Sequence, residues 1–517
     1  MKHFIEAEFK KKKEILLNLD KNDIMNWFMF CGYYGDKYKY PPVFQVSSFN
    51  KPQNDFLPIK KSYEELLNLE INYSKNKKRL FSLMHPNLYY NVVKIIVDNW
   101  ETIIKHIYNE KLRIFSYSFP VAYKYSNDND NDFQTTAYDD VINFMILEKN
   151  IIDYISNYKY ILKLDISKCY PSIYTHSISW AFNGREKAYE DKGKKGKFEN
   201  KLDSYLQQAN HYQTNGIPIG SATSDIISEI ILSKIDLSVS LDDSLKDVNF
   251  IGTRYKDDYR ILCNTEEEAT LIKDTLIFYL KEYNLWINES KTFISKLPKG
   301  LERKWKRLYN QFCKFKTDNI TEEDFLNAYY SLIDIEEEYP ETSVISKFLS
   351  SIIKNNKESI ISNFTFKEKI RVINLLYLLV DYSPKILPEI LGIIEILKEE
   401  FQNESEIEDF NDFIVAFIEN EYNSIINSVK KDEYKLIWLY FFAKKHNIEL
   451  KDFDTENKFF NYMKNKKEIF DDVDKNIIIY NEDNYNISIL EYINLFDSSK
   501  YINSNNIINN DDEGYPF

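Results

Sequence analysis

Two adjacent aspartates, Asp257 and Asp258, lie in the stretch TRYKDDYRIL, between two segments with the composition of β-strands. Adjacent carboxylates repel each other and Asp is a poor strand former, so the pair needs a reason to be there. A divalent cation supplies one, because Mg²⁺ takes hard oxygen ligands and binds a few protein carboxylates together with water and substrate phosphates. For the pair alone, a solvated turn is the competing interpretation.

A third carboxylate, Asp165, stands near the end of a strand predicted in YILKLDISKCYPSIYTH. Alternation along that strand places Asp165 on the face opposite to Leu162 and Leu164. Two divalent cations about 4 Å apart activate an attacking hydroxyl and stabilise a leaving pyrophosphate in phosphoryl transfer. The three aspartates together therefore indicate a site that joins nucleotides.

Three predicted elements must position these carboxylates. The segments VNFIGT and YRILCN predict a β-hairpin with Asp257 and Asp258 at its tip. The segment TNGIPIGSATSDIISEI predicts a tight turn that lets a ligand approach the backbone, followed by a helix that Ser221 or Thr223 caps. A capping box then begins the helix predicted over 266–283, and LWINESKTFI predicts a further strand.

The composition predicts a large globular protein of two or more domains. The chain has 517 residues, 44% hydrophobic, with only 11 Gly and 13 Pro, so we expect long regular elements. Its four scattered cysteines have neither disulfide nor zinc spacing. The N-terminus has no apolar signal region and no segment is long enough to cross a membrane, so we expect a cytoplasmic protein without membrane contact.

Charge is divided unevenly along the chain. Residues 1–320 hold 47 basic against 42 acidic side chains, whereas residues 321–517 hold 20 against 39. A neutral-to-basic front part can meet phosphates, and an acidic back part repels a polyanion. Solubility of acidic helices is an equally good explanation for the back part.

The three segments, taken in order, resemble the palm motifs of reverse transcriptases. LDISKCYPSI resembles the first motif, NGIPIGSATSDIISEI the second, YKDD the third and NESKT the fourth. The resemblance covers residues 75–300, with a fingers-like region over 79–120. It implies a DNA polymerase that uses dNTPs and two Mg²⁺ ions, with Mn²⁺ as the alternative metal.

The resemblance also implies roles for particular residues. They are the metal ligands Asp165, Asp257, Asp258 and the Ile166 carbonyl; the steric gate Tyr170, which excludes a ribose 2′-hydroxyl; the nucleotide-binding residues Gly216, Pro218, Ile219 and Gly220; and Lys291, near the leaving pyrophosphate.

Two features depart from templated reverse transcriptases. Ile219 stands where they usually carry Gln, and a long helical region follows the palm instead of a compact thumb or an RNase H-like segment. Together with LDSYLQQANHYQTNGIP, these features resemble the abortive-infection (Abi) group of bacterial antiphage reverse transcriptase-like polymerases. That group implies template-independent DNA synthesis primed by a tyrosine hydroxyl of the protein, a covalently attached single-stranded DNA product, and a homo-oligomer.

Two other functions stay open. One is an RNA-templated reverse transcriptase of a defence system that uses a non-coding RNA, since the Ile219 argument does not exclude an RNA partner. The other is a catalytically inactive nucleic-acid-binding scaffold built on the helical region.

The expected fold class is α+β reverse-transcriptase fingers and palm, a right-hand polymerase, followed by an all-α domain with HEAT-like repeats. We expect the first domain over 1–315, the helical-repeat domain over 316–500 and a frayed tail over 501–517. Apolar residues at three- and four-residue spacing, as in TFKEKIRVINLLYLLVDY, predict the helices. No repeated sequence accompanies them, so the repeat is inferred from their succession alone.

Further candidates lie outside the three segments. Lys111 and Arg113 stand where finger residues of polymerases clamp a triphosphate, with a surface role as the alternative. The stretch CGYYGDKYKYPP offers Tyr38 and Tyr40 as priming hydroxyls, although a chain with 40 tyrosines produces such clusters by chance. The run KGKKGK at 192–197 is either a grip for nucleic-acid phosphates or a solvated loop.

Overall fold

A computed structural model of the chain describes residues 3–35, 39–52, 55–60, 63, 65–74, 77–121, 123–126, 133–136, 152, 155–191, 196–315, 320–340, 342–355, 358–493 and 502–503.

The strands of the described ranges, in chain order, are β1 (Ser48–Phe49), β2 (Leu67–Ser74), β3 (Lys77–Leu83), β4 (Ile114–Ser116), β5 (Tyr123–Ser126), β6 (Phe133–Thr136), β7 (Tyr160–Ser167), β8 (Ile251–Tyr255), β9 (Asp258–Cys263), β10 (Trp286–Ile287), β11 (Phe293–Lys296), β12 (Ile353–Asn355), β13 (Glu358–Ser359), β14 (Ile477–Ile478) and β15 (Ile502–Asn503). The α-helices are α1 (His3–Asn18), α2 (Lys21–Trp27), α3 (Pro86–Asp98), α4 (Trp100–Ile107), α5 (Cys169–Ser172), α6 (Ser177–Asn183), α7 (Arg185–Glu190), α8 (Phe198–Ala209), α9 (Ala222–Ser240), α10 (Glu266–Glu282), α11 (Lys304–Phe312), α12 (Glu322–Glu338), α13 (Val344–Ile352), α14 (Phe366–Tyr382), α15 (Leu387–Glu399), α16 (Glu404–Asn427), α17 (Glu433–Lys445), α18 (Lys458–Asn465) and α19 (Ile489–Ile493).

One mixed sheet forms the centre of the front part of the chain. Its strands lie in the order β10–β7–β9–β8–β4, and β11 also pairs with β7. Neighbouring strands are antiparallel except β4 and β8, which run parallel. The hairpin predicted around YKDD is therefore present as β8 and β9, and the strand predicted in LWINESKTFI is present as β10 and β11.

The two faces of this sheet differ in what covers them. Leu162, Leu164 and Ile166 of β7 are buried in the main hydrophobic core together with the isoleucines of α9. This is the back face. Because side chains alternate along a strand, Asp165 projects from the opposite, front face, as the alternation in the sequence predicts.

Local sequence explains where the helices begin. Thr265 and Glu268 form the capping box that starts α10, as predicted. Ser221 occupies the N-cap position of α9, but its side chain makes no capping hydrogen bond there. Pro388 lies in the first turn of α15, where its missing N–H leaves no hydrogen bond unmade.

The back part of the chain is mainly helical, as predicted from its apolar spacing. Helix α11 packs against α12 and α13, α14 packs against α15, and α16 packs against α17. Helix α11 begins at Lys304, ahead of the predicted domain boundary at 316, and packs with these later helices. The predicted tail lies outside the described residues except for β15, which pairs in parallel with β5.

The chain then returns to its N-terminal region. Strand β14 pairs with β1, and the Tyr34 hydroxyl donates to the Ile479 carbonyl oxygen at 2.8 Å. The β2–β3 hairpin is also held, since Asn72 Nδ2 donates to Asp432 Oδ2 at 2.8 Å. The helical part therefore supports the front part directly. Within the described ranges, every helix is too short or too polar to span a lipid bilayer.

Candidate active site

Strand pairing brings Asp165 next to Asp258. The two residues are direct partners in the antiparallel pair β7–β9. The Ile166 N–H donates to the Asp257 carbonyl oxygen at 3.1 Å, which makes Asp165 and Asp258 a non-hydrogen-bonded pair. In such pairs the Cα atoms lie about 4.5 Å apart and the side chains project from one face. The structure therefore places Asp165 and Asp258 side by side at one end of the front face, with Asp257 in the adjoining turn.

The turn that carries the aspartates is conformationally strained. Lys256 and Asp257 join β8 to β9, and Lys256 has a φ of +50°. For a residue with a side chain this left-handed region costs about 1 kcal/mol. The Lys256 N–H donates to Ser118 Oγ at 2.9 Å, and its carbonyl oxygen accepts from Arg254 Nη1 at 2.9 Å. These contacts hold the backbone that precedes Asp257 and Asp258.

Arg254 belongs to a buried ion network behind the sheet. Its fully buried side chain donates to both carboxylate oxygens of Glu229, at 2.8 and 3.0 Å, and to Asp236 at 2.8 Å. Both acids lie on α9. Ser118 also donates to Glu229, at 2.6 Å, so Glu229 holds both residues that fix the turn.

The stability of this buried network depends on each of its charged members. Burial raises the pKa of Asp236 to about 6, and the Arg254 charge opposes that rise. Removing one partner of a buried ion pair leaves an uncompensated charge and is strongly destabilising. Nothing in the local sequence marks Glu229 or Asp236 as partners of Arg254, and the sequence analysis missed all three.

Burial and mutual repulsion act on the three aspartates. Burial raises the pKa of Asp257, and the Asp165 charge adds to the rise. Burial, followed by the charges of Asp257 and Asp165, raises the pKa of Asp258 to about 6. Oxygen ligands held together against their own repulsion chemically fit a hard divalent cation. Across the described part of the chain, no three Asp, Glu, His or Cys side chains form a ready-made metal-binding cluster.

Lys291 balances part of this negative charge. Its Nζ lies 3.2 Å from Asp165 Oδ2, on the segment between β10 and β11. Burial lowers the pKa of Lys291, but the carboxylates of Asp165, Asp258 and Asp257 outweigh it and leave that pKa raised. The ammonium is therefore charged at neutral pH.

Tyr170 stands directly after β7, on α5. Its hydroxyl donates to Asp225 Oδ1 at 2.5 Å, and Asp225 lies in the first turn of α9. Burial and the Asp225 charge raise the pKa of Tyr170 well above its ordinary value, so the hydroxyl stays protonated. This bond fixes the half-buried ring beside the predicted nucleotide loop, and Asp225 is a contact that the sequence analysis missed.

The first half of the nucleotide loop is tied to the turn after β7. Gly216 has a φ of +87°, a conformation that favours glycine. Its N–H donates to the Ile173 carbonyl oxygen at 2.8 Å, and the Ile217 N–H donates to the Tyr170 carbonyl oxygen at 3.1 Å. Pro218 is buried beneath the loop. The loop and Tyr170 therefore form one unit.

The second half of the loop contacts the β2–β3 hairpin and the N-terminal region. The Ile219 carbonyl oxygen accepts from the Ser82 N–H at 2.9 Å. Gly220 has a φ of +126°. A Cβ on Gly35 would stand 1.9 Å from the Gly220 carbonyl oxygen, so only glycine at position 35 permits this close approach.

The β2–β3 hairpin brings a basic residue that the sequence analysis also missed. The Arg79 guanidinium lies 4.3 Å from the centre of the Tyr73 ring, and its charge opposes the rise in the pKa of Asp257. Arg79 thus contributes positive charge to the electrostatic environment of Asp257. The basic run KNKKRL, between two strand-like segments, was the signal for it.

Lys111 and Arg113 are not brought to the aspartates. Arg113 precedes β4 at the opposite end of the sheet, where its guanidinium donates to the Leu245 carbonyl oxygen at 3.0 Å and to that of Val248. It also lies 3.6 Å from the centre of the Phe250 ring. Lys111 is exposed in the preceding turn. These positions do not fit the predicted triphosphate clamp.

The candidate priming residue Tyr40 is enclosed by other side chains. Tyr40 is 1% exposed and packs against Phe459, with ring centres 5.1 Å apart, so its hydroxyl is not presented to a nucleotide here. Tyr38 lies outside the described residues, as do residues 192–195 of the basic run. Lys197, at the end of that run, pairs with Asp191.

Comparison with known families assigns the front part of the chain. Residues 100–326 match the family model described as reverse transcriptase (RNA-dependent DNA polymerase). This stretch, which is less than half of the chain, is therefore similar to a reverse transcriptase domain. The comparison with curated proteins gave no match.

Several solved telomerase structures are similar to this chain. The apo telomerase from Candida tropicalis truncated from its C-terminal domain is 13% identical, with a TM-score of 0.30, over 47% of this chain and 52% of that one. The apo telomerase from the same organism is 11% identical, with a TM-score of 0.32, over 76% of this chain and 71% of that one. The Candida albicans telomerase in complex with a fragment of telomeric RNA is 12% identical, with a TM-score of 0.28, over 69% of this chain and 65% of that one. The chain thus spans about half the length of the first of these structures.

We expect Ser118→Ala to loosen the aspartate turn. The substitution leaves the Lys256 N–H without its side-chain acceptor and Glu229 without one donor, which costs about 1–3 kcal/mol of unfolding free energy. A displacement of the turn by about 1 Å lowers the turnover number on the order of 100-fold. Urea denaturation and the steady-state rate of dNTP incorporation measure the two effects.

Ser350→Ala serves as the matched control, because Ser350 is exposed and bonds only within its own helix, to the Ser346 carbonyl oxygen at 2.9 Å. An unchanged turnover number in Ser118→Ala would contradict the positioning of the turn by Ser118.

We expect Asp258→Asn to remove a pH dependence of stability in metal-free buffer. The pKa of Asp258 is raised to about 6 when folded, against about 3.9 in the unfolded chain. The folded state therefore binds the proton more tightly. The contribution of Asp258 to stability is therefore fully present below about pH 3.9 and falls by on the order of 2 kcal/mol as pH rises from there through 6.

Melting temperatures between pH 4 and pH 7.5, with and without Mg²⁺, measure this effect. Millimolar Mg²⁺ should raise the wild-type melting temperature at pH 7.5 and leave that of Asp258→Asn unchanged. Asp274→Asn, an exposed change on α10, should behave as the wild type. Parallel pH profiles of wild type and Asp258→Asn would contradict the assigned pKa shift.

Proposed function

We propose that this protein is a divalent-metal-dependent DNA polymerase of reverse-transcriptase type that works without a template and primes synthesis from a tyrosine hydroxyl of its own chain. We further propose that it acts in abortive-infection antiphage defence, in the cytoplasm, as a homo-oligomer whose single-stranded DNA product stays attached. The observation that carries the polymerase part is the pairing of Asp165 with Asp258 beside Asp257, Lys291 and the Tyr170 loop.

The proposed metal ligands are Asp165, Asp257 and Asp258, with the Ile166 carbonyl as an additional one. Bound Mg²⁺, or Mn²⁺ in its place, would supply charge neutralisation for the triphosphate and an activated hydroxyl nucleophile. Burial and mutual repulsion raise the pKa values of Asp257 and Asp258, and a nearby cation would offset both effects and keep the two groups ionised. This supports the assignment.

The protein's own groups would perform the remaining work. Lys291, charged beside Asp165, neutralises or protonates the leaving pyrophosphate. The Tyr170 ring, held by Asp225, blocks a ribose 2′-hydroxyl. The backbone from Gly216 to Gly220 shapes the base and sugar side of the nucleotide, and Arg79 approaches from the β2–β3 hairpin as a triphosphate contact.

The covering of the front face supports a single-stranded product. Phe9 of α1 packs against Phe115 of β4, with ring centres 5.1 Å apart, and Ile5 is buried in a cluster with Ile161 and Leu262. All three sheet residues project from the front face. Helix α1 therefore covers the end of the front face that lies away from the aspartates, and this part of the sheet is not open to a template duplex.

A second candidate is an RNA-templated reverse transcriptase. The matched family is described as RNA-dependent DNA polymerase, and that description favours a template. The division into a polymerase domain over 1–315, a HEAT-like domain over 316–500 and a tail over 501–517 stays part of the first proposal.

Incubation of purified protein with one dNTP at a time and no nucleic acid separates the two candidates. The first proposal expects label that remains on the protein after denaturation, and mass spectrometry then locates the modified tyrosine. Asp257→Asn combined with Asp258→Asn should abolish this label and leave the folded state intact. Strict dependence on added primer and template would reject template-free synthesis.

We expect Tyr170→Ala to admit ribonucleotides. Removal of the ring opens space for the 2′-hydroxyl, and selection by a single steric contact accounts for roughly 10- to 100-fold discrimination. The ratio of kcat/KM for dCTP to that for CTP measures it, with Tyr170→Phe as the control that keeps the ring and loses only the bond to Asp225. Unchanged selectivity in Tyr170→Ala would remove the gate assignment.

A further inference from the structure

Two large aromatic side chains are exposed on the sheet edge nearest Asp165. Trp286 of β10 is 55% exposed and Phe293 of β11 is 43% exposed. Trp286 pairs with Ser167 and Phe293 pairs with Lys163, so the rings stand two residues beyond and two residues before Asp165. A separation of two residues corresponds to about 7 Å along the strand.

Both rings lie on the front face. Their strand neighbours Ile287 and Ile294 pack against the main core on the back face. Successive side chains of a strand point to opposite faces, so Trp286 and Phe293 project to the same side as Asp165. Two aromatic rings are therefore presented to solvent on the face that carries Asp165.

Each ring has a lysine ammonium beside it. Lys281 Nζ lies 5.8 Å from the centre of the Trp286 ring, and Lys163 Nζ lies 5.6 Å from the centre of the Phe293 ring. The segment from 281 to 299 holds four lysines and two glutamates. Aromatic rings interleaved with basic side chains are the combination that binds single-stranded nucleic acid, since rings stack on bases and ammonium groups pair with phosphates.

We propose that Trp286 and Phe293 form a stacking platform for the unpaired bases of a nucleic-acid strand whose growing end lies at the aspartates. The proposal rests on the polymerase function proposed above, and it assigns the strand a path along the β10–β11 edge. Bases stack on the two rings, and Lys163 and Lys281 contact the phosphates. Stacking does not distinguish bases, so the platform accepts any sequence.

Trp286 also provides the means of testing the platform without catalysis. Of the six tryptophans, all within described residues, Trp27, Trp100, Trp180 and Trp438 are buried, Trp305 is half-buried, and Trp286 is exposed. Oligothymidylate added to the protein in EDTA, without dNTPs, should therefore quench the intrinsic fluorescence by stacking on Trp286. Higher salt should weaken the binding, because the phosphate contacts are electrostatic.

Three variants separate the quenching of fluorescence by Trp286 from the binding affinity that the two rings provide. Trp286→Phe should lose the quenching and keep the affinity measured by anisotropy of a labelled oligothymidylate, because Phe still stacks. Trp286→Ala combined with Phe293→Ala should weaken binding at least about tenfold, in line with the loss of two stacking contacts. Phe278→Ala removes a 58% exposed ring from α10 and should change neither measurement.

The outcomes also separate the platform from the polymerase proposal. Quenching that persists in Asp257→Asn with Asp258→Asn supports the platform, even where the wild type incorporates no nucleotide and the polymerase proposal fails. The platform is wrong if saturating oligothymidylate leaves wild-type fluorescence unchanged. It is also wrong if the double alanine variant binds as tightly as the wild type, or if Phe278→Ala weakens binding equally.

Discussion

The position of the aspartate hairpin depends on one fully buried cation. Arg254 lies on the strand that leads into the turn, and its guanidinium joins Glu229 and Asp236 of α9 to the Lys256 carbonyl oxygen. Separation of these charges inside the protein is expensive, so the helix, the strand and the turn move as one body. The left-handed Lys256 persists because the surrounding contacts determine it.

Elements from remote parts of the chain lie around this rigid unit. The β2–β3 hairpin supplies Arg79, and the helical part of the chain holds that hairpin in place. Tyr73 lies between Arg79 and Lys385, whose Nζ is 4.9 Å from the centre of the ring, and the Tyr73 carbonyl oxygen accepts from Ser383 Oγ at 3.2 Å. The helical part thus sets where the basic hairpin stands relative to the aspartates, which links the two halves of the molecule physically.

Predictions that rested on local physics mostly agree with the structure, the exception being Ser221, which makes no capping hydrogen bond at the start of α9. The capping box at Thr265 and the helices predicted from apolar spacing depend on residues a few positions apart. Predictions about which groups a single side chain contacts were less accurate. Arg113 bonds to backbone carbonyl oxygens far from the aspartates, and Tyr40 is enclosed by the aromatic core. Sequence position alone does not state which neighbours a long side chain meets.

The sequence by itself determined the chemistry available: three aspartates on predicted strand ends, a glycine-rich loop that bends, and a lysine downstream. Only the tertiary structure decided the register that makes Asp165 the partner of Asp258, the burial of Arg254 against α9, and the exposure of Trp286 beside Asp165. The physical reason is the distance along the chain over which each interaction acts. Capping, turns and alternation act between near neighbours, whereas strand register and burial arise from packing between segments that lie far apart in the chain.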